Sequence, residues 1–432
     1  MIGKKIHDLC KILWPINRSI TGNGVRKTLD ILKKKCSEMK IYEVASGTKV
    51  FDWTIPNEWN VKEAKILGPG GKKILDFSDN NLHLVGYSTP INKKMSLKEL
   101  NKHLFSLKEK PKAIPYVTSY YKKNWGFCLS HNNRKKLKSG KYKVLINSEL
   151  KKGSLTYGEI FLPGKSKKEI FLSTYICHPS LANNELSGPT VSIFIANWIK
   201  SLKDRKFSYR IIFIPETIGS ITYLSKNLKK MKRNMYAGFN ITCVGDERMY
   251  SYLPSRNGDT IADHTAKHIL KWTDKNYKKY TWLDRGSDER QYCSPGIDLP
   301  VATIMRSKGG EYPEYHTSLD NLKNVVTPKG LNGSFNLIKK IIESFEFNCY
   351  PKNLYLCEPQ LSKRNLYPST SNWSKKENYT YELRLMKDLI SFSDGKTSLL
   401  NIAENCKVPI WDFYSIIRKL EKNKIIKILF KI

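Results

Sequence analysis

The chain has 432 residues, of which 40% are hydrophobic and 26% charged, with 25 glycines and 19 prolines. This composition is typical of a globular protein with a sizeable core, and it excludes a disordered, collagen-like or fibrous chain. No apolar run approaches the roughly 20 residues that cross a bilayer, and the charged N-terminus lacks the apolar segment of a secretion signal. We therefore expect a cytoplasmic protein with no membrane partner.

The net charge is +36, from 75 basic and 39 acidic residues. Such a charge is compatible with binding to nucleic acid or to another anionic surface. However, lysines outnumber arginines and are spread along the chain, which favours solvated helix faces over one dedicated basic patch. The nine cysteines are scattered and form no CxxC motif, so we expect reduced thiols and no cysteine-based zinc ribbon.

The predicted elements begin with a helix over residues 2–13, a polar turn over 16–24 and a second helix over 25–36. Residues 41–130 then contain short β-like runs, such as 116–121 and 125–128, separated by turn signals. This texture predicts a small β-rich domain inserted after the N-terminal helices.

Strand-like and helical segments alternate from about residue 141 to 345. The continuous apolar run over 211–214 is typical of a buried central strand. Alternation of this kind predicts an α/β sheet with helices on both faces. After a connector, three helical segments and a ribbon over 423–430 resemble a winged helix. The predicted domains are therefore 1–40 with 131–350, the insertion 41–130, and a connector with the winged helix over 351–432.

Polar residues follow the predicted core strands. His178 and Asn184 follow one strand, Glu216 follows the next, Asp246 comes after a third, and His316 precedes the last long helix. Ligands bind open α/β sheets at the carboxyl ends of their strands. Imidazole and carboxylate groups together can hold Zn²⁺ and accept a proton from its water. Each residue also has an ordinary structural role open to it, as a loop, turn or helix-capping residue.

These segments resemble the co-catalytic zinc aminopeptidase superfamily. Its pattern is a His after one strand, a metal-bridging Asp in a D-x-x-S-G turn, a Glu-Glu pair, an Asp after the next strand, and a late His-Thr-x-x-Asp. His178 matches the first His, Asn184 stands at the bridging Asp, Glu216 matches the general base, and 316–320 match the last motif. The resemblance implies a mixed sheet flanked by helices.

The chain further resembles an aminopeptidase-like family of bacterial surface-polysaccharide gene clusters. The matching segments are 15–22, 177–180, 286–292 and 311–316. The resemblance spans almost the whole chain, including the inserted β-rich domain and the winged helix. It implies a small peptide-like or amide-bearing sugar substrate.

Three ligand carboxylates of the superfamily are missing, because Asn184, Thr217 and Thr242 occupy their positions. Ser180 also replaces the Asp that would orient the first His. Two dications about 3.5–4 Å apart need negative charge around them, so the sequence predicts one zinc ion at most. Its expected ligands are His178, Asn184 and His316, with Glu216 as proton carrier or as a further ligand.

Other residues are candidates for additional ligands or substrate contacts: Asp246, Asp288, Glu289, Arg18 and Arg290. For the two arginines, hydrogen bonds to the backbone are the alternative. The leading hypothesis is a zinc-dependent hydrolase of an amide or peptide-like bond. A metal-poor relative that binds a ligand without cleaving it, and a nucleic-acid-binding regulator that uses the winged helix, are the rivals. Homo-oligomerisation stays open.

Overall fold

The computed structural model describes residues 2–367 and 377–430, so part of the predicted connector (368–376) and the last two residues lie outside the described residues. The strands are β1 (Met39–Ala45), β2 (Lys49–Val50), β3 (Trp53–Thr54), β4 (Glu58–Leu67), β5 (Lys73–Asp76), β6 (Ile91–Ser96), β7 (Leu104–Phe105), β8 (Phe127–Cys128), β9 (Lys141–Lys151), β10 (Ser154–Leu162), β11 (Glu169–Tyr175), β12 (Ser208–Ile214), β13 (Met235–Ile241), β14 (Ser251–Leu253), β15 (Lys278–Lys279), β16 (Val301–Met305), β17 (Tyr350–Asn353) and β18 (Ile426–Leu429). The helices are α1 (Ile2–Leu13), α2 (Asn23–Lys35), α3 (Leu97–Leu100), α4 (His131–Lys135), α5 (Ser187–Ser201), α6 (Ile218–Asn234), α7 (Ile261–Thr273), α8 (Glu289–Tyr292), α9 (Pro328–Phe347), α10 (Glu377–Ser391), α11 (Leu399–Cys406) and α12 (Phe413–Lys422).

The chain divides into two compact units, one of residues 1–263 and 276–336 and the other of 264–275 and 337–432. The first unit contains an eight-stranded mixed sheet in the order β1-β10-β12-β11-β13-β16-β14-β15. Strands β11 and β12 are buried along their whole length, which confirms the buried central strand read from the apolar run at 211–214. The α/β class with a mixed sheet is confirmed.

A smaller four-stranded antiparallel sheet, in the order β5-β4-β9-β6, forms the β-rich part of the first unit. Two strands belong to a different sheet from the one that the predicted domain boundaries imply. Strand β9 was expected in the α/β domain but pairs with β4 and β6, whereas β1, at the expected start of the insertion, pairs with β10 of the large sheet. Residues 116–121 contain one isolated bridge, between Thr118 and Gly86, and no regular strand. Long-range pairing, which a local pattern does not encode, decides these assignments.

The second unit contains α10, α11 and α12 with the antiparallel pair β17 and β18. The three helices were expected, and the winged-helix class is confirmed. Of the ribbon expected over 423–430, the structure shows one strand, β18. The strand partner of β18 is not a neighbouring ribbon strand but Tyr350–Asn353, about 75 residues earlier in the chain. Among the described residues, no helix has the length and apolar character that crossing a membrane requires.

Candidate active site and metal centre

The carboxyl ends of β11, β12, β13 and β16 lie at the same edge of the large sheet, because these four strands are parallel to one another. His178 comes three residues after β11, Glu216 two residues after β12, and Thr242 directly after β13. A π-helical turn over Ala182–Leu186 carries Asn184 and leads into α5. Such turns frequently occur at functional sites. The sheet therefore brings the polar segments predicted from the sequence to one edge.

His178 is 4% exposed, and its two ring nitrogens face different groups. Nδ1 lies 3.1 Å from a carboxylate oxygen of Glu185, whereas Nε2 lies 3.7 Å from Oε2 of Glu216. Burial lowers the pKa of His178, but the neighbouring Cys177 and Glu185 raise it well above its ordinary value. A carboxylate on Nδ1 is the usual partner of a metal-binding histidine, because it fixes the ring and leaves Nε2 as the ligand atom.

Glu185 is held in turn by Arg18. The Arg18 Nε–H donates to Oε1 of Glu185 over 2.5 Å and to the backbone oxygen of His178 over 3.1 Å, and both side chains are fully buried. The backbone N–H of His178 donates to the other oxygen of Glu185. Ser180, at the position of the orienting Asp, bonds instead to Asn81 and to the backbone of Trp14. Glu185 thus performs the orienting role, and Arg18 supports it from behind.

Within the described part of the chain, one group of three metal-capable side chains has its ligand atoms within 4.8 Å of one another: Cys177, His178 and Glu185. Hydrogen bonds already occupy both oxygens of Glu185, and the charge of Arg18 neutralises them. Burial raises the pKa of Cys177 to about 11, so the sulfur stays a thiol at neutral pH. We therefore interpret this group as the support of the His178 ring, whose Nε2 faces Glu216 on the other side.

His316 lies next to His178, with 5.6 Å between the two ring centroids. Its Nε2 is buried, and no hydrogen-bond partner is found for it among the described residues. Burial, followed by the charge of His178, lowers the pKa of His316 to about 3, so the ring is neutral at pH 7. Tyr315 stacks on the His316 ring at 3.8 Å. A neutral, buried imidazole without a partner has the chemistry of a metal ligand.

The β-rich part of the chain contributes Tyr116 to this site. The Tyr116 ring centroid lies 5.1 Å from that of His178 and 5.1 Å from that of His316. Its backbone N–H donates to the backbone oxygen of His316 over 2.8 Å, and Pro115 and Thr317 form an antiparallel bridge. The insertion therefore covers both imidazoles and fixes the segment that carries His316.

Glu216 is the half-buried carboxylate of the site. Ser287 donates to its Oε1 over 2.8 Å, which leaves Oε2 on the side of His178. Burial raises the pKa of Glu216 above its ordinary value, although His178, Ser287 and Arg290 oppose the rise. A glutamate with a raised pKa is suited to accept a proton near neutral pH. The same side chain lines a cavity with Tyr175, Asn184 and Tyr315.

Residues 286–290 hold the segment that contains Glu216. Asp288 accepts from the backbone N–H of Thr217 over 2.7 Å and from Ser220, and burial with the nearby Glu216 raises its pKa to about 7. Glu289 accepts from the backbone N–H groups of residues 286 and 287. The exposed Arg290 donates to the Thr217 hydroxyl over 3.1 Å. All three candidates thus lie beside Glu216 and form protein hydrogen bonds, but the buried Oδ2 of Asp288 has no hydrogen-bond partner among the described residues.

Asn184 lies at the site but is engaged by neighbours. Its Oδ1 accepts from the Tyr175 hydroxyl, and Tyr175 shares a 2.5 Å hydrogen bond with Thr242. Its backbone N–H donates to the fully buried Asp320 over 2.9 Å. Asp246, the remaining candidate, bonds to the side chain of Asn183 and to Ser307, and so anchors the turn.

Four non-glycine residues around the site have positive φ angles: Ser180, Thr217, Cys243 and His316, at 43°, 64°, 51° and 53°. Each costs roughly 1–3 kcal/mol, and residues of this kind cluster at functional sites because the surrounding structure must enforce them. At residues 180, 217 and 316 the hydrogen bonds described above hold the backbone in this conformation.

The residues of the site suit one zinc ion by their chemistry. The ligand atoms of His178, His316 and Glu216 do not all lie within 4.8 Å of one another among the described residues, so these side chains would have to move closer together to share an ion. Two zinc-bound imidazoles have their ring centroids about 5 Å apart when each Zn–N bond is about 2.0–2.1 Å, close to the 5.6 Å between His178 and His316. Glu216 adds a carboxylate oxygen 3.7 Å from Nε2 of His178. The donor set does not fit two ions, because neutral amide and hydroxyl groups stand at 184, 217 and 242.

Comparison with known proteins agrees with this architecture. A zinc aminopeptidase from Bacillus subtilis has a TM-score of 0.58 over 79% of this chain and 94% of its own, at 13% identity, so the two share the fold. A family model described as a winged helix-turn-helix matches residues 349–428. The protein therefore has an aminopeptidase-like fold followed by a winged helix.

Residues 7–348 match the family model described as a domain of unknown function, DUF4910, and the chain belongs to this family. A Clostridium acetobutylicum relative, named as a candidate polysaccharide biosynthesis protein with an aminopeptidase-like domain, is 46% identical over 402 residues, or 93% of this chain and 91% of its own. A crystal structure of a candidate peptidase from the same organism has a TM-score of 0.92 and 42% identity, covering 99% and 97% of the two chains.

The residues that support the site were missed by the sequence reasoning: Cys177, Glu185, Tyr116, Tyr175, Ser287 and Asp320. Glu185 could have been found from the sequence. It lies next to Asn184, which stands at the position of the bridging Asp, and the absence of the orienting Asp at 180 leaves that role open for another carboxylate. Tyr116 could not have been found in this way, because it lies 62 residues before His178 and 200 residues before His316.

Proposed function

We propose that this protein is a single-zinc, aminopeptidase-like hydrolase of an amide or peptide-like bond, acting in surface-polysaccharide biosynthesis. The observation that carries the proposal is the juxtaposition of His178, His316 and Glu216 at one sheet edge. The biosynthetic role is supported by the name of the 46% identical relative. The substrate class we favour is a small peptide-like compound or an amide-bearing sugar.

His178 and His316 would hold the ion through their Nε2 atoms, and Asn184 would complete the set of ligands if its oxygen were released from Tyr175. The zinc ion, when bound, lowers the pKa of a water molecule and polarises the scissile carbonyl group. Glu185 keeps the His178 ring oriented, and Tyr116 with Tyr315 shields the two imidazoles from bulk water.

Glu216 would accept the proton of the attacking water at Oε2 and deliver it to the leaving nitrogen. Ser287 holds the other oxygen, so the carboxylate presents one fixed atom to the site. The raised pKa of Glu216 brings its proton exchange closer to neutral pH. The exposed side chain of Arg290, near Glu216, is available for a substrate carboxylate or phosphate.

The experiment is zinc analysis of protein purified without chelator, combined with turnover of aminoacyl-p-nitroanilides and N-acyl amino sugars. We expect about one zinc per chain, hydrolysis of one of these amides, and loss of hydrolysis without loss of zinc in Glu216→Gln. Zinc-free protein that binds such a compound without cleaving it would support the metal-poor ligand-binding alternative instead.

Nucleic-acid binding through the winged helix is not favoured by the second unit itself. On α12, Lys419 pairs with Glu382 over 3.1 Å and Arg418 lies over the Phe347 ring. These basic groups are engaged within the unit.

A further inference from the structure

Tyr175, the last residue of β11, places its hydroxyl group between two side chains of the site. The hydroxyl donates to Oδ1 of Asn184 and shares a 2.5 Å hydrogen bond with Oγ1 of Thr242. The thiol of Cys243 also lies 3.7 Å from the same Asn184 oxygen. The Tyr175 ring centroid is 5.3 Å from that of His178, and the tyrosine is 3% exposed. A buried phenol therefore connects two neutral oxygens next to the metal-binding imidazole.

These contacts have a direct consequence for cation binding on this side of His178. An amide oxygen that already accepts from a hydroxyl and a thiol has no lone pair left for a metal ion. The single phenol proton goes to Asn184, so in the contact between the two hydroxyl groups Thr242 is the donor and Tyr175 the acceptor. A second dication would need anionic oxygens to offset its repulsion by the first, and this wall of the site is neutral and fully hydrogen-bonded.

We propose that Tyr175 limits the site to one cation, because its hydroxyl donates to the oxygen of Asn184 and fills the position between Asn184 and Thr242 that a second ion would need. This inference rests on the zinc site proposed above. It adds to the effect of the missing carboxylates, since it predicts that restoring carboxylates at 184 and 242 is not enough for a second ion to bind. With new carboxylates at 184 and 242, the phenol would stay between them and donate its one proton to one of the two.

The experiment compares zinc content per chain, by plasma mass spectrometry after equilibration with excess zinc and gel filtration, in three proteins. These are the wild type, N184D/T242D, and Y175F/N184D/T242D. We expect the double variant to bind as much zinc as the wild type, and the triple variant to bind one zinc more. The matched control is Y42F added to the double variant, because Tyr42 is an exposed tyrosine of β1 outside the site.

A gain of zinc in the double variant, or no gain in the triple variant, would overturn the inference. A wild type without zinc refutes the proposed function but leaves the comparison of triple and double variants meaningful. If the triple variant does not fold, Y175F alone supplies the test by competition with a chelator. Release of the Asn184 oxygen should tighten zinc binding by about threefold to tenfold, and unchanged affinity would contradict the role of Tyr175.

Discussion

The variant Glu185→Gln is the most direct test of whether Glu185 holds the His178 ring in place. In the wild type, one carboxylate oxygen accepts from Arg18 and the other from the ring and backbone of His178, with both charged side chains fully buried. A glutamine can accept only on one side, so either Arg18 or His178 faces a donor instead of an acceptor. Loss of one member of a buried ion pair costs about 3–5 kcal/mol of unfolding free energy, and loss of the carboxylate behind a metal-binding histidine weakens metal binding about 10- to 100-fold.

Urea unfolding of zinc-free protein measures the first effect, and chelator competition on folded protein measures the second. The matched control is R18M/E185Q, which removes both buried charges. We expect this double variant to regain at least half of the lost stability, because no unpaired cation remains, while zinc binding stays weak. Glu185→Gln protein with wild-type stability and wild-type zinc affinity would refute the reasoning.

Four further predictions follow from the same contacts. Glu216→Gln should lower kcat/KM about 10²- to 10⁴-fold and leave the zinc content unchanged. A variant that loses its zinc together with its activity would indicate that Glu216 is a ligand. From His316 alone, zinc-free protein should lose up to about 1.4 kcal/mol of stability per pH unit as the pH falls from 6.5 towards 3, because the pKa of about 3 in the fold lies below the ordinary 6.5 and the unfolded chain binds the extra proton. The raised pKa of Asp288 acts in the opposite direction over part of this range, so the test is the difference in slope between the wild type and His316→Asn. His316→Asn, which tolerates positive φ, should reduce this slope in urea unfolding at pH 7 and 5, and an unchanged slope would contradict the assignment. Asp320→Asn should lower the free energy of unfolding in urea by about 1–3 kcal/mol and weaken zinc binding. The reason is that an amide nitrogen would face one of the donors that Asp320 now accepts from, namely Asn183 N–H, Asn184 N–H and Tyr312 O–H. Wild-type stability together with wild-type zinc affinity would argue against this role of Asp320. Deletion of residues 378–432 should leave any salt-dependent DNA affinity unchanged in filter-binding assays, whereas a loss of affinity would revive the regulatory hypothesis.

The large sheet could be predicted because its strands are buried and therefore continuously apolar, as in residues 211–214. The same logic located the edge of the sheet where His178 and Glu216 emerge, since ligands bind open α/β sheets at the carboxyl ends of their strands.

The support of the site could not be predicted in the same way. The sequence left two roles open for Arg18, substrate binding and hydrogen bonds to the backbone. Its partner in the structure, Glu185, lies 167 residues away in the chain. The pairing of residues 114–116 with 316–318, which brings Tyr116 to the imidazoles, depends on a register between two irregular segments. Such contacts carry no local periodicity, so only the folded chain reveals them.

The central claim is that one zinc ion is bound by the two imidazoles at 178 and 316. Anomalous scattering at the zinc edge from crystals grown without chelator tests it most directly. The account predicts a single peak within bonding distance of Nε2 of both rings, with the Glu216 carboxylate beside it. Two peaks with one ring on each, or a single peak on the Cys177 side of His178, would contradict it.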